Sequence, residues 1–157
     1  MKIKVVLHKL GDDTQYPLSI IDKGEWIDLR CLGYRDIPKD SFGLIPLGLS
    51  MKIPKGFEAI VAPRSSTFKN FGLLMANSIG VIDSSYSGTN DMWMFPYISA
   101  KNIEVNHGDR ICQFRIQPSQ KATILQKLKW VFSKKLRFEY VDSLDSKDRG
   151  GFGTTGV

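Results

Sequence analysis

Short runs of alternating or β-branched apolar residues recur along most of the chain, and Gly, Pro, Asn and Asp separate them. The first run, residues 1–7, places Ile3, Val5 and Leu7 on one face of a strand and leaves Val6 on the other face with two lysines. Short strands with turns at this density predict an all-β protein, built as a sandwich, a jelly roll or a distorted barrel.

Two later runs, residues 56–63 and 110–116, have the same strand-like pattern and end at turn residues. In the second run the core-facing positions begin at Cys112, so Ile111 and Gln113 are predicted to face the other way. Gln113 would then be a polar group held on a rigid strand.

Residues 121–135, KATILQKLKWVFSKK, interrupt the strand pattern. At helical spacing their apolar residues form one stripe, yet KLKWVF followed by SKK and LRFEYV also fits a β-hairpin. We favour a short helix, with its lysines on a solvated face rather than in a nucleic-acid patch. The predicted stripe consists of Ile124, Leu125, Leu128, Val131 and Phe132.

The composition is typical of one globular domain, with 157 residues, 42% hydrophobic and 24% charged. The formal charge of +6 favours an anionic partner, but the basic residues are scattered, which indicates a phosphorylated small molecule rather than nucleic acid. The two cysteines lack the spacing of a disulfide framework or a zinc site, and no run is long enough for a signal peptide or a membrane span. We therefore expect a cytoplasmic protein that binds neither nucleic acid nor membrane.

The segment APRSST, residues 62–67, places a guanidinium and two hydroxyls at the end of a predicted strand. Arg64, Ser65 and Ser66 in such a turn can cradle an anion. Ser and Arg in turns are also common as helix caps and surface residues. Both interpretations stay open on these residues alone.

The segment NSIGVIDSSYSG, residues 77–88, predicts a buried strand that delivers Asp83 to the lip of a β-hairpin closed by Gly88. An Asp at a strand end is usually a turn former. A hairpin lip that carries this carboxylate and Tyr86 can instead hold a ring with its backbone edges and place a general base beside the ring.

Asp28 interrupts the otherwise apolar run KGEWIDLRC, residues 23–31. A carboxylate among apolar neighbours needs a partner, and a hydrated divalent cation is one candidate. A salt bridge to an arginine is the commoner solution.

The chain ends in DRGGFGTTGV, residues 148–157, where Arg149 and Phe152 stand among glycines and threonines. Such a terminus is normally poorly ordered unless it is tied down. The alternative is an arm that closes on a ligand carrying negative charge and a flat ring. We therefore divide the chain into a β domain, residues 1–147, and a flexible arm, residues 148–157.

Five of these stretches follow one another in the order WIDLR, PRSS, GVIDxxYxG, GDRICQ and RGGFGTTG. In this order and spacing they resemble the five motifs of the trimeric dUTP pyrophosphatase (dUTPase) family, and they cover nearly the whole chain from Lys23 to Gly156. WIDLR, and NDMWMFP after the third motif, are most similar to the versions from Gram-positive bacteria and their phages. The chain departs from the family pattern in RGG for RGxGG, in YSGT for YRGE, and in residues 121–135, which resemble an insertion.

The resemblance implies a β jelly roll assembled as a homotrimer, with each active site drawn from all three subunits. It also implies hydrolysis of dUTP to dUMP and pyrophosphate. Asp83 would activate the water that attacks the α-phosphorus, and Tyr86 would pack under the deoxyribose and leave no room for a 2′-hydroxyl. The residues implied around the uracil are Asn77, Gly80, Val81 and Ile82.

The same resemblance implies that Asp28 holds Mg²⁺ through water and that Phe152 lies across the uracil ring. The triphosphate would be held by Arg64, Ser65, Ser66 and Gln113. The remaining arm residues implied at the nucleotide are Arg149, Gly151, Gly153, Thr154 and Thr155.

Two alternative functions stay open. The first is a dCTP deaminase, alone or combined with dUTPase activity, which has the same fold. Such an enzyme needs a glutamate on the strand after the hairpin. Residues 91–100 contain no glutamate, and Glu104 is the nearest one. A non-catalytic phage-type protein would instead capture a host regulatory protein. For residues 121–135 no catalytic role is assigned, and a docking surface and a trimer contact both stay open. Zinc deaminases are excluded because their HxE and PCxxC ligand sets are absent.

Overall fold

The computed structural model describes residues 1–18, 25–132 and 136–151. Strands make up most of the regular structure of these residues, which confirms the all-β prediction. The strands are β1 (Lys2–Leu7), β2 (Lys9–Leu10), β3 (Asp13–Thr14), β4 (Ile27–Arg30), β5 (Arg35–Ile37), β6 (Phe42–Pro46), β7 (Leu49–Lys52), β8 (Phe57–Pro63), β9 (Leu73–Met75), β10 (Gly80–Asp83), β11 (Met94–Ser99), β12 (Ile103–Val105), β13 (Arg110–Pro118) and β14 (Arg137–Tyr140). The helices are α1 (Thr67–Phe71) and α2 (Ile124–Val131).

The largest sheet has four antiparallel strands in the order β10-β8-β13-β4. Two three-stranded sheets have the orders β14-β1-β7 and β6-β11-β9, and β12-β5 and β2-β3 form two small pairs. Most neighbouring strands are far apart in sequence, so the chain passes repeatedly from one sheet to another. This pattern is typical of jelly rolls and excludes a simple up-and-down barrel for the described residues.

One cluster of buried apolar side chains draws on all three larger sheets. Trp93, Phe95 and Phe114 are its largest fully buried members, and the rings of Trp93 and Phe114 meet edge to face with centroids 5.3 Å apart. A single contiguous core of this kind supports the prediction of one domain.

The predicted faces of two strands are each wrong at one residue. Val6 in β1 and Ile111 in β13 were expected to face away from the core, but they are 6% and 0% exposed. The register of β13 against β4 shifts between Arg110 and Cys112, and this bulge places Ile111 inside. Val6 lies opposite Ser50, which is also buried, so the sheet is covered on both faces there.

The helix predicted within residues 121–135 is confirmed as α2, and the hairpin alternative is wrong because β14 pairs in parallel with β1. Thr123 and Gln126 form a reciprocal capping box at the start of α2, and Gln126 also donates to the Lys55 carbonyl. Of its own residues, Trp130 packs against Phe57, yet none is fully buried. None of the described helices is long and apolar enough to span a membrane.

Candidate active site

Asp83 is the last residue of β10 and lies opposite Glu58 of β8. The backbone N–H and the hydroxyl of Ser85 donate to Asp83 Oδ1 at 2.7 and 2.5 Å, and the N–H of Tyr86 donates to the Asp83 carbonyl. The Asp83 side chain thereby closes a turn, as Asp commonly does. Residues 84–93 contain no strand, so the predicted β-hairpin is wrong, and we call residues 84–91 the Asp83 loop.

Arg149 forms an ion pair with Asp83, with Nη1 3.1 Å from Oδ2 and 2.8 Å from Ser85 Oγ. Partial burial alone would raise the pKa of the Asp83 carboxyl, but the Ser85 hydrogen bonds and the Arg149 guanidinium together lower that pKa below its ordinary value. Asp83 is therefore ionised at neutral pH, which is the state that a general base requires.

Asp83 borders a cavity of about 230 Å³. A cavity of about 150 Å³ can already hold a benzene ring, so this one has room for a six-membered ring. Eight of the predicted site residues line this cavity, together with five residues that the sequence did not point to. The predicted ones are Asn77, Gly80, Val81, Ile82, Asp83, Tyr86, Arg149 and Gly151, and the others are Val61, Met75, Trp93, Met94 and Gly150.

Two aromatic residues, Tyr86 and Trp93, contribute to the lining of the cavity. The Tyr86 hydroxyl donates to the Met92 carbonyl at 3.0 Å, and a Cβ added to Gly151 would come within 3.3 Å of the Tyr86 ring. The buried Nε1 of Trp93 has no hydrogen-bond partner within the described residues. Buried donors without partners are uncommon in native proteins.

A second set of polar residues lies where β4, β13 and β8 run side by side. Gln113 is opposite Asp28 on one side and Ala62 on the other. Arg64 Nε is 2.9 Å from Asp28 Oδ1, and Arg110 Nη1 is 3.1 Å from Asp28 Oδ2. Of the two partners that the sequence allowed for Asp28, a cation or an arginine, the structure shows the arginine, and it shows two of them. We call Asp28, Arg64, Arg110 and Gln113 the arginine cluster.

The turn after β8 holds the two predicted serines next to Arg64. Ser66 occupies the N-cap position of α1, but its hydroxyl makes no capping hydrogen bond, so capping does not account for it. Ser65 is exposed. Thr67 holds the turn in place, because its hydroxyl accepts from the Arg64 N–H at 2.9 Å and donates to the Ile111 carbonyl at 2.7 Å. Arg64 and both serine hydroxyls therefore stand on a well-supported turn.

Asp83 and Arg64, one from the cavity lining and one from the arginine cluster, lie far apart within one chain. Asp83 is opposite Glu58, and Arg64 follows Glu58 by six residues along the strand. At about 3.3 Å per residue this separation is about 20 Å. The predicted site residues thus form two sets, and in a single chain Asp83 of the first set lies far from Arg64 of the second.

Asp28 is the predicted magnesium residue. Both of its carboxylate oxygens already contact guanidiniums, and no group of three or more metal-binding side chains occurs within the described ranges. Proteins commonly hold Mg²⁺ with one or two carboxylates, substrate phosphates and water. Since each carboxylate oxygen has a further lone pair, Asp28 fits a contact through water but not a complete protein-only site.

Sequence reasoning missed two charged residues, one in the arginine cluster and one that contacts the arm. Arg110 stands in the GDRICQ stretch, but its partner Asp28 is 82 residues away, so no local pattern connects them. Asp91 contacts the arm, as described below, and only its place in NDMWMFP could have drawn attention to it. Four predicted arm residues lie outside the described residues, namely Phe152, Gly153, Thr154 and Thr155.

The fold and the two residue sets define a class of all-β protein with an ionised carboxylate at a ring-sized cavity and a separate arginine cluster. Residues 27–155 match the family model of the dUTPases. The chain belongs to the dUTPase family, which confirms the resemblance carried by its five motifs.

The proteins that this chain resembles include one from a prophage and others from phages. The chain is 46% identical over 157 residues to the SPbeta prophage-derived deoxyuridine 5'-triphosphate nucleotidohydrolase of Bacillus subtilis (strain 168), an alignment that covers 100% of this chain and 99% of the relative. The dUTPase from phage phi11 of S. aureus, whose structure shows the coordination of a structural Mg(II) ion, matches with TM-score 0.62 and 16% identity over 78% of this chain and 94% of that chain.

A second phage structure, the dUTPase of Staphylococcus bacteriophage 80alpha with dUpNHpp, matches with TM-score 0.62 and 14% identity over 78% of this chain and 93% of that chain. It is described as one of the phage dUTPases that control the transfer of virulence genes. At such identities the structural likeness shows the fold, and it confirms the predicted jelly roll.

Proposed function

We propose that this protein hydrolyses dUTP to dUMP and pyrophosphate. The observation that carries the proposal is Asp83, an ionised carboxylate that lines a ring-sized cavity in a chain of the dUTPase family. The dUTP nucleotidohydrolase that is 46% identical over the full length supports the same activity. A cytoplasmic location stays a prediction from the sequence.

The cavity suits the uracil and its sugar. β10 is an edge strand in the described chain, so part of its backbone N–H and C=O groups face away from β8 and can bind the polar edge of a ring. Gly80, Val81 and Ile82 lie on that strand, and Asn77 precedes its start. Tyr86 borders the same cavity, where its ring can pack under a deoxyribose and exclude a 2′-hydroxyl.

The arginine cluster suits the triphosphate. Arg64 and Gln113, with the Ser65 and Ser66 hydroxyls, offer charged and neutral donors on a rigid strand and turn. Arg64 lies about 20 Å along the sheet from Asp83 in one chain. We therefore infer that the Arg64 and the Asp83 that meet one nucleotide come from different copies. The active site is therefore shared between subunits.

An exposed apolar sheet face supports assembly with further copies of this chain. Ile98 of β11 lies directly between Leu74 of β9 and Phe42 of β6, so the three side chains share one face, and Leu44 lies two residues from Phe42 on the same face. Phe42, Leu74 and Ile98 are 69%, 50% and 46% exposed. Contiguous apolar patches of this kind mark protein interfaces. We assign this face to the homotrimer.

Replacing Ile98 with Asp should dissociate the trimer and abolish most turnover, because a charge at each apolar interface loses its hydration without gaining a partner. Light scattering after size exclusion measures the mass, and pyrophosphate release measures turnover. The matched control is Leu10→Asp, an exposed apolar residue in β2, which should stay trimeric and active. A trimeric, fully active Ile98→Asp variant would place the interface elsewhere.

In the proposed reaction a water at Asp83 attacks the α-phosphorus. The new P–O bond forms as the bond to the bridging oxygen of the β-phosphate breaks, pyrophosphate leaves with that electron pair, and Asp83 accepts the proton. With nucleotide bound, the triphosphate is a second partner for Arg149. The triphosphate carries more negative charge than the Asp83 carboxylate, which Arg149 contacts in the free chain. Phosphoryl transfer is catalysed chiefly by positioning and by charge neutralisation, which these groups supply.

Mg²⁺ is the proposed cofactor, and the Mg(II) of the phage phi11 enzyme supports it. Bound with the triphosphate, the ion would neutralise phosphate charge, and Asp28 would orient one of its waters. Asp28 also keeps Arg64 and Arg110 in place through its two ion pairs.

A substrate comparison tests the proposed function. The protein is mixed with dUTP, dCTP or UTP and Mg²⁺, and pyrophosphate and ammonia are followed. We expect pyrophosphate from dUTP alone. Ammonia from dCTP would establish the deaminase alternative, for which the cavity offers little support, since Asp83 is the single carboxylate among its described lining residues. No product from any nucleotide would favour the non-catalytic binder.

A regulatory protein partner is a further part of the proposal, and the apolar face of α2 supports it. Ile124, Leu125, Val131 and Phe132 are 74–78% exposed. Lysines flank this face, so the fitting partner has an apolar segment bordered by acidic residues. The description of the phage 80alpha dUTPase as a controller of gene transfer is consistent with a second, regulatory role.

The double substitution Leu125→Glu and Phe132→Glu should leave trimer mass and dUTP turnover unchanged, because a face reserved for another protein contributes to neither. Mass and turnover are measured as for Ile98→Asp. Loss of the trimer would assign the α2 face to self-assembly and refute its role as a partner site.

A further inference from the structure

Asp91 is a buried carboxylate that binds the start of the arm. It is 2% exposed, and its Oδ1 accepts from the Gly150 N–H at 2.8 Å while both oxygens are 3.0 Å from the Arg149 N–H. Its Oδ2 also accepts from the Gly88 N–H at 2.8 Å. Within the described residues Asp91 has no ion pair, so backbone N–H groups alone stabilise its charge.

A second contact holds the preceding arm residue. The Asn90 backbone N–H and side-chain amide donate to the two Asp148 carboxylate oxygens, at 2.9 and 2.7 Å. Gly88 makes room for this contact, because a Cβ at that position would overlap the Asp148 Cα and carboxylate. We call Gly88, Asn90 and Asp91 the arm latch.

We propose that the arm latch is the device that places Arg149 at Asp83, with Asp91 as its positioning residue. This inference rests on the proposed function, because the arm acts on the substrate of that site. A buried carboxylate without a cation is costly unless N–H groups satisfy it, and two of its three partners are amides of the arm. Docking of the arm backbone is therefore favoured. It fixes the backbone of Arg149, and the tip of the arginine side chain, Nη1, then lies 3.1 Å from Asp83 Oδ2.

The latch also accounts for a departure from the family pattern. In this chain Arg149 stands directly before the glycines that precede Phe152. Asp91 holds the backbone amides of Arg149 and Gly150. The position from which the Arg149 side chain extends is therefore set by this contact and not by the spacing of the glycines that follow.

Hydrogen exchange of the free protein tests the latch without any nucleotide. Asp91→Asn should lower protection of the Arg149 and Gly150 amides by at least about tenfold, since hydrogen bonds to a charged acceptor are lost, while β8 amides stay protected. Gly88→Ala should also lower protection of these two amides, because its Cβ blocks the Asp148 contact while the Asp91 carboxylate is unaltered. Asp142→Asn, an exposed Asp outside the latch, is the control and should change neither set. Unchanged Arg149 and Gly150 protection in both latch variants would overturn the proposal.

Turnover provides the second readout. In the full chain Asp91→Asn should lower kcat by at least about tenfold, and in a chain ending at residue 147 it should have no further effect, because the group that it positions is gone. An equal loss in both chains would show a merely structural role. If the unaltered protein does not hydrolyse dUTP, the proposed function fails while the exchange experiment still decides the latch.

Discussion

Replacing Asp83 with Asn should lower kcat by roughly 10²- to 10⁴-fold, the usual contribution of a general base, and leave KM nearly unchanged. The amide keeps the shape of the side chain and its contact with Ser85, but it cannot take a proton from water. Because the pKa of Asp83 is held below its ordinary value, the acid limb of the kcat/KM profile should also lie below the range of an ordinary Asp. Activity is present above that pKa and is lost as the pH falls through it.

Asp12→Asn is the matched control, because Asp12 is an exposed carboxylate away from both residue sets and should be fully active. Isothermal calorimetry with a non-hydrolysable dUTP analogue separates binding from chemistry. Turnover of Asp83→Asn within a few-fold of the unaltered protein would assign the proton acceptor to another group.

Removing residues 150–157 should cut turnover by roughly 10²-fold, comparable to the loss of a single transition-state donor, while the trimer stays folded. The described core residues all precede the cut, and so does buried Leu144, so stability should change little. Turnover, trimer mass and thermal unfolding are the measurements.

Cutting at residue 147 provides the comparison, because it also removes Asp148 and Arg149. Since Arg149 contacts Asp83, the longer deletion should lower turnover further, and the difference between the two truncations measures Arg149 together with the Asp148 contact that holds it. A truncated enzyme with full activity would refute the role of the arm in catalysis.

The pattern of apolar positions predicted β1, β8, β13 and the all-β class because alternation along a strand encodes its two faces locally. The prediction failed where a non-local feature intervened. Ile111 is inside because of a bulge against β4, and Val6 is inside because both faces of its sheet are covered. Asp83 was correctly placed at a strand end, but the hairpin after it was wrong because its own side chain closes the turn instead.

The sequence by itself determined the residue types that the chemistry needs and the order in which they occur, since motifs and strand alternation are local properties. Tertiary structure alone decided which of them meet. Arg64 and Arg110 both pair with Asp28 although 36 and 82 residues separate them from it, and Asp91 binds amides 58 and 59 residues away. Strand order and register set these contacts, and they depend on the packing of the whole core rather than on any one segment.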